Sequence, residues 1–388
     1  MKGGRPTRTL GEVLTVQNGY AFDSKAFNAS EGMPLIRIRD LKIGTGTETR
    51  FIGDYDEKYV VKAGDLLIGM DGEFVCFEWK GSPALLNQRV CRLQGFSSDL
   101  LPRFLFYGVN SHLKSIEDVT GYATVKHISS KQILNIEFPL PPFPEQQRIV
   151  GILDEAFEGI ATANTNAEKN LQNAHALFES HLQSVFTQRG EGWVEKRLKD
   201  VCEKITDGTH QTPTYYDEGT IFLSSRNVTS GKIDWDKVKY IDTKQHLEMH
   251  KRLAPRINDI LLAKNGTTGV AAIVDRDVVF DIYVSLALLR ALHQVLPTFL
   301  LYFINSTVAK GQFNKRLKGS GVPNLHLKEI REVTISFPRS LAEQKSIVYN
   351  LDALSSETQR LESLYQRKLT ALEALKKSLL HQAFTGEL

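Results

Sequence analysis

A ten-residue pattern occurs twice in this chain, and it fixes how many units the chain can build. Glu145-Gln146-x-x-Ile149-Val150-x-x-Leu153-Asp154 returns as Glu343-Gln344-x-x-Ile347-Val348-x-x-Leu351-Asp352, 198 residues later. A Phe-Pro pair precedes each copy, Phe138-Pro139 and Phe337-Pro338. Each copy opens a long segment whose apolar residues fall at three- and four-residue steps, the period of a helix. A chain of 388 residues organised in this way holds two similar domains, each followed by a long helix.

The repeat runs past that pattern. Leu10-Gly11-Glu12-Val13 resembles Leu198-Lys199-Asp200-Val201, and residues 32–41 align with residues 219–228. Asp65-Leu66-Leu67-Ile68 aligns with Asp259-Ile260-Leu261-Leu262, and His127-Ile128 with His326-Leu327. Between these anchors the halves differ strongly, so a scaffold is repeated and its loops are not. Short apolar runs at 34–38, 65–68, 221–223, 260–262 and 270–274, broken by Gly, Asp and Asn, predict strand-rich blocks. Residues 101–110 and 297–305 predict short helices with aromatic faces. The expected fold class is α+β. Strand-rich blocks at 1–143 and 190–341 alternate with long helices at 144–189 and 342–388, related by a pseudo-twofold repeat.

The apolar seam includes Ile149, Leu153, Ile160, Leu171 and Phe178 in the first helix. In the second it includes Ile347, Leu351, Leu354, Leu361, Leu372 and Leu379. Sustained over so many heptads, it predicts that the helices pair as an antiparallel coiled coil. Each would be about 60–65 Å long at roughly 1.5 Å per residue. Ser340-x-x-Glu343 reads as a capping box, Pro142 and Pro144 as first-turn prolines, and Gly190, Gly192 and Gly386 as helix stops.

The net charge of +3 neither demands nor excludes nucleic acid. It is uneven: residues 190–341 carry 22 Lys+Arg against 17 Asp+Glu, whereas residues 1–143 carry 17 against 16. Cys76, Cys91 and Cys202 make no paired framework, so a reducing, cytoplasmic setting is expected. No apolar run is long enough to predict a membrane span. The chain lacks a Gly-Lys-Ser/Thr phosphate loop, a Gly-x-Ser-x-Gly elbow and His-Glu-x-x-His. It also lacks the Asn-Pro-Pro-aromatic sequence of adenine methyltransferases; Pro141-Pro142-Phe143-Pro144 is a superficial likeness. The ten histidines show no metal-ligand spacing, the acidic stretch 275–281 reads as a solvated strand end, and 264–269 as a surface turn. The expectation is a binding protein with no cofactor or metal of its own.

The paired Phe-Pro…Glu-Gln-x-x-Ile-Val-x-x-Leu-Asp blocks, each leading a heptad helix, resemble the specificity subunit of type I restriction–modification systems. So does the C-terminal run Leu375-Lys376-Lys377-Ser378-Leu379-Leu380-His381-Gln382-Ala383-Phe384-Thr385-Gly386. Ile205-Thr206-Asp207-Gly208-Thr209-His210 with Thr212-Pro213 looks like an opening of that family's target-recognition domains. The resemblance implies two target-recognition domains, each reading half of a split double-stranded DNA sequence, and two paired helices that measure the spacer. It implies two docked methyltransferase subunits carrying S-adenosylmethionine, and a restriction/translocase subunit using ATP. The chain itself would not catalyse. One departure is that Gln17-Asn18-Gly19-Tyr20 stands in the first block where the second has Asp-Gly-Thr-His.

Base edges are read by amide, hydroxyl and cationic side chains, and phosphates are held by cations and hydroxyls. Expected DNA contacts in the first block are Arg37, Arg39, Gln88, Arg89, Tyr122, Thr124 and Lys126. In the second they are Thr209, His210, Thr212, Ser225, Arg226, Lys264, Asn265, Lys318, Ser320 and Asn324. Arg39 and Arg226 occupy matching positions, which favours a shared structural or phosphate role; His127 and His326 read as scaffold. A second reading is a coiled-coil scaffold with protein-binding heads, and a third a self-contained DNA-modifying enzyme.

Overall fold

The computed structural model describes residues 6–121, 126–187, 190–316 and 324–388. Tyr122, Thr124, Lys318 and Ser320 lie outside them. The chain divides into two compact units. One comprises Met1–Asn166 with Lys368–Leu388, the other Ala167–Arg367. Among the chain's helices are α1 (Pro102–Val119), α2 (Phe143–Thr187), α3 (Thr243–Arg252), α4 (Pro297–Asn305) and α5 (Leu341–Thr385).

The first head is built on a four-stranded antiparallel sheet in the order Thr15–Asn18, Val90–Gln94, Leu66–Gly69, Cys76–Glu78. The second repeats it as Cys202–Asp207, Leu286–Ala291, Ile260–Ala263, Ala271–Ile273. A second sheet covers one face. It contains Met33–Ile36 parallel to Ala84–Leu86 in head one, and Thr220–Leu223 parallel to Phe280–Ile282 in head two. Helices cover the other face. Leu66 and Ile68 therefore point to a helix-side core while Leu67 points between the sheets. Ile260 and Leu262 against Leu261 and Ala263 do the same. With both faces covered, the strand is apolar throughout, not alternating, which is why these runs stood out in the sequence.

Strands also join the ends of each head, Thr7–Thr9 to Glu137–Pro139 and Trp193–Arg197 to Thr334–Pro338. The long helices start four or three residues later. Pro144 falls in the first turn of α2 as expected. Ser340 caps α5 by accepting from the Glu343 N–H at 3.4 Å, while the Glu343 carboxylate accepts from the Trp193 indole at 3.0 Å.

α2 and α5 are each 45 residues long and lie 198 apart in sequence throughout. Their burial follows heptads: Leu153, Ile160, Ala167 and Ala174 in α2, Gln344, Leu351 and Thr358 in α5. The ends of the seam serve the heads. Ile149 and Leu153 enter the core of head one, as Leu351 does that of head two, with Ile347 packed against it. The closing turns cross over. Phe186 of α2 packs on Phe299 and Phe303 in head two, and Phe384 of α5 packs on Phe104 and Phe138 in head one. Gly108 makes the second contact possible, because a Cβ there would stand 2.3 Å from the Phe384 ring. Side chains of the two helices meet within the units as well, His175 with Glu362 at 3.0 Å and Lys376 over the Phe157 ring at 5.1 Å.

Three expectations change. The histidine alignment shifts by two: the Ile128 and Leu325 N–H groups donate to the equivalent Met70 and Lys264 carbonyls, and Ser129 and His326 are the matching N-caps. His127 therefore corresponds to Asn324. The 275–281 stretch does not end in solvent, since Asp281 is 2% exposed. His246 and His250 both reach it from α3, so the histidines do carry a ligand-like spacing.

Candidate nucleic-acid interface

The repeated motif builds a bracket that fixes head to helix. Gln146 is fully buried; its Oε1 accepts from the Leu101 N–H at 2.8 Å and its Nε2 donates to the carbonyls of Asp99 and Pro141. Gln344 repeats this with the Leu296 N–H and the carbonyls of Gln294 and Pro338. Leu101 and Leu296 are the N-caps of α1 and α4, so each glutamine satisfies a helix-start N–H that has no partner within its own helix. The motif's Asp accepts from a head tyrosine, Asp154 from Tyr107 and Asp352 from Tyr302, the latter at 2.5 Å. Burial, then the bond to Asp154, pushes the Tyr107 hydroxyl up to about 12. Three residues beyond each tyrosine an asparagine clasps a strand, Asn110 on Cys76 and Asn305 on Ala271.

Away from the bracket the backbone still repeats, but the side chains do not. The Tyr20 N–H donates to the Leu86 carbonyl at 2.9 Å and the Thr209 N–H to the Ile282 carbonyl at 3.0 Å. Asn18-Gly19-Tyr20 is thus the structural copy of Asp207-Gly208-Thr209. Glycine is required in both, for a Cβ would come 2.1 Å from the Asn87 carbonyl oxygen or 1.9 Å from that of Ile282. Asp71 bridges to His127 as Asn265 bridges to Asn324. The Met70 N–H donates to Arg89 as the Lys264 N–H donates to Ser285.

In head one, Asp71 collects His127 at 2.7 Å and Arg89 at 3.4 Å, with exposed Gln88 beside Arg89. Arg39 is exposed and donates to Thr49, while Arg37 is the exposed N-cap residue of the turn that Asp40 closes. Lys126 is drawn inward and donates to the Glu117 carbonyl at the end of α1. A separate cleft of about 430 Å³ is lined by Tyr20, Phe22, Asp54, Asp56, Lys58 and Tyr59. Lys58 is paired there with Asp56 at 2.7 Å.

Head two offers a larger, basic and aromatic cleft of about 550 Å³. Ser225 and Arg226 line it with Tyr215, Lys237, Lys239 and Tyr283. Thr212 reaches the Tyr283 hydroxyl at 3.3 Å, which puts the 209–212 loop at its edge. Tyr215, Lys237, Lys239 and Tyr283 are not among the contacts expected from the sequence; the signals for them are the Tyr215-Tyr216 pair and Lys237 just before the strand that Lys239 opens. Lys239 stacks over the Tyr215 ring at 3.8 Å. Lys264 does not line this cleft: it is buried and paired with Asp207 at 2.8 Å. Burial alone would raise the Asp207 carboxyl, but Lys264, helped by His210 at 3.3 Å, holds it below the usual carboxylate range. Asn265 and Asn324 face each other across their bridge.

Cys76, Cys91 and Cys202 are all buried free thiols, and burial pushes Cys91 and Cys202 up to about 12, far from thiolate chemistry at neutral pH. Among the described residues no helix is long and apolar enough to cross a membrane.

Comparison with known proteins agrees with this architecture. The sequence profile of the type I restriction modification DNA specificity domain matches twice, at residues 5–172 and 190–371. The type I restriction enzyme EcoBI specificity subunit of Escherichia coli is 28% identical, over 98% of this chain and 85% of its own. The MjaVIII specificity subunit of Methanocaldococcus jannaschii is 24% identical, over 88% of this chain and 83% of its own. In fold, a chain solved in work on assembly and conformational transition of the type I R-M system matches with a TM-score of 0.75 at 20% identity, covering 100% of this chain and 99% of its own. The HsdS subunit from Thermoanaerobacter tengcongensis matches with a TM-score of 0.60 at 20% identity, covering 100% and 98%. Subunits of this kind confer specificity and are non-catalytic. With the domain present twice and spanning most of the sequence, this chain belongs to the type I restriction modification DNA specificity family.

Proposed function

We propose that this chain is the DNA-reading subunit of a type I restriction–modification complex, each head reading one half of a split duplex target. What carries this reading is the pattern of sameness and difference across the internal repeat. The bracket is identical in both halves: Gln146 and Gln344, Asp154 and Asp352, Tyr107 and Tyr302, Asn110 and Asn305. The residues at equivalent backbone positions around the loops differ: Tyr20 and Thr209, Asp71 and Asn265, Arg89 and Ser285, His127 and Asn324. Two identical ligands would call for both sets to repeat. Two unlike half-sites call for one scaffold with changed readers, because base identity is read by side-chain donors and acceptors while phosphates fix the register.

The long helices then serve as a paired spacer, an antiparallel coiled coil that sets the gap between half-sites. Two grooves, one beside each Tyr–Asp bracket, would take one methyltransferase subunit apiece. Those subunits bring S-adenosylmethionine, and a restriction/translocase subunit brings ATP.

Co-expression with the partner methyltransferase, followed by mapping of methylated adenines, tests the reading. A bipartite motif is expected. Replacing Tyr215, Arg226 and Lys239 together by alanine should relax or abolish recognition of one half only. Deleting seven residues from the middle of α2 should keep both halves and change the gap. Methylation without any bipartite motif, or no DNA footprint at low salt with partners present, would overturn the assignment.

A further inference from the structure

We propose that head two contains a divalent-cation site of the Zn2+ class, formed by His246, His250 and Asp281. His246 and His250 sit four residues apart on α3, so their rings share one face, with centroids 4.7 Å apart. Asp281 belongs to the strand Phe280–Ile282 and is 2% exposed. Its Oδ2 lies 2.7 Å from Nδ1 of His246 and its Oδ1 3.3 Å from Nδ1 of His250. One ligand atom from each of the three residues falls within 4.8 Å of the others. A tetrahedral ion with bonds of roughly 2.0–2.2 Å holds its ligands about 3.3–3.6 Å apart, so small side-chain rotations complete the set. Two imidazoles and a carboxylate suit zinc, with a fourth position left for water. A cavity of about 170 Å³ adjoins Asp281 on the side lined by Met249 and Arg252, and neither histidine lines it. The Arg252 guanidinium is spent on Asp207 and the Gly208 carbonyl.

The internal repeat strengthens the case. Leu35 pairs with Leu85 in head one as Phe222 pairs with Asp281 in head two, so Asp281 stands where the other head has a fully buried leucine. A carboxylate in a core position is costly unless a cation or strong donors meet it. Both histidines come from α3, whereas the matching stretch of head one holds the short helix Glu57–Tyr59 and the strand Val60–Val61. α3 in turn grips the 207–214 loop at both ends: Gln245 bonds Thr214 in both directions, and Arg252 holds Asp207 and Gly208. An ion here would lock that loop to the sheet. That consequence for target reading rests on the proposed function; ion binding does not.

The test uses the tag-free full chain, stripped with chelator and titrated with ZnCl2 by calorimetry, with Co2+ as spectroscopic probe. One bound equivalent and a tetrahedral Co2+ spectrum are expected. His250→Gln keeps a donor for Asp281 but is a poor ligand. Loss of a mere supporting partner costs roughly 10–100-fold in affinity, so loss of this ligand should cost more than about 100-fold. Asp281→Leu, which installs the residue of head one, should abolish the site, and His127→Gln should leave it intact. Zinc should also slow amide exchange across residues 207–214. No bound equivalent, or His250→Gln binding like the native chain, overturns the proposal and leaves a hydrogen-bonded triad. Binding without slowed exchange overturns the loop lock.

Discussion

Single residues decide whether each head is sound. Lys264 is the clearest case, because its loop looked like an exposed turn and the ammonium is instead buried against Asp207. Breaking one partner of a buried pair strands the other, at about 3–5 kcal/mol. Asp207→Asn should therefore lower stability by that order at neutral pH, measured by denaturant unfolding. The carboxyl is held below its usual range in the folded state, so the pair's stabilisation is full above that range and is lost as pH falls through it. The variant should lack this acid-side decline; an unchanged acid limb would count against the pair. Gly108 is equally exposed to test. Its added Cβ would meet both Phe384 and Phe138, so Gly108→Val should cost at least about 1–3 kcal/mol by overpacking. Neither partner is near Gly108 in sequence, and that distance hid the constraint.

At the level of elements, the sequence repeat tracks hydrogen bonds more than surface. The motif glutamines were visible as identities, but their task of capping α1 and α4 was not, since the partners are backbone groups some 45–50 residues away. Gln344→Ala leaves the Leu296 N–H and two carbonyls without their partner. A loss of roughly 2–3 kcal/mol is expected in thermal unfolding, and Gln146→Ala should match it. Strands and long helices were legible because continuous apolar runs and heptads have few alternative explanations. α1 continued nine residues beyond its expected end at Asn110. α3 went unread because none of its residues is fully buried and it is held by polar side chains, which leave no apolar period to find. Asp281 went unread because a strand-end aspartate is ordinarily solvated, and only the tertiary fold brings His246 and His250 to it.

For the whole molecule, what matters is which pieces make each unit. Each head is completed by the start of its own helix and the end of the other. Leu341–Thr385 is one helix, and Lys368–Leu388, which includes its last turns, clusters with head one. Truncation after residue 367 should therefore destabilise head one, not head two. Loss of Ala383 and Phe384 removes a buried aliphatic contact and an aromatic one, worth several kcal/mol together by analogy with large-to-small core changes. Hydrogen exchange resolved by head would show this. Selective loss of protection in head two would contradict the assignment.

The Phe384 contact also has a temporal consequence. A ribosome delivers the chain from the amino end, so the earliest head to emerge must wait until Phe384 has been made, long after its own sheet. Until then Phe104, Phe138 and the space above Gly108 lack their lid, and the nascent chain presents a greasy hollow to the cell. The later head meets Phe186 before its own sheet has been synthesised. The two halves of one repeated plan thus mature in reverse order of their birth.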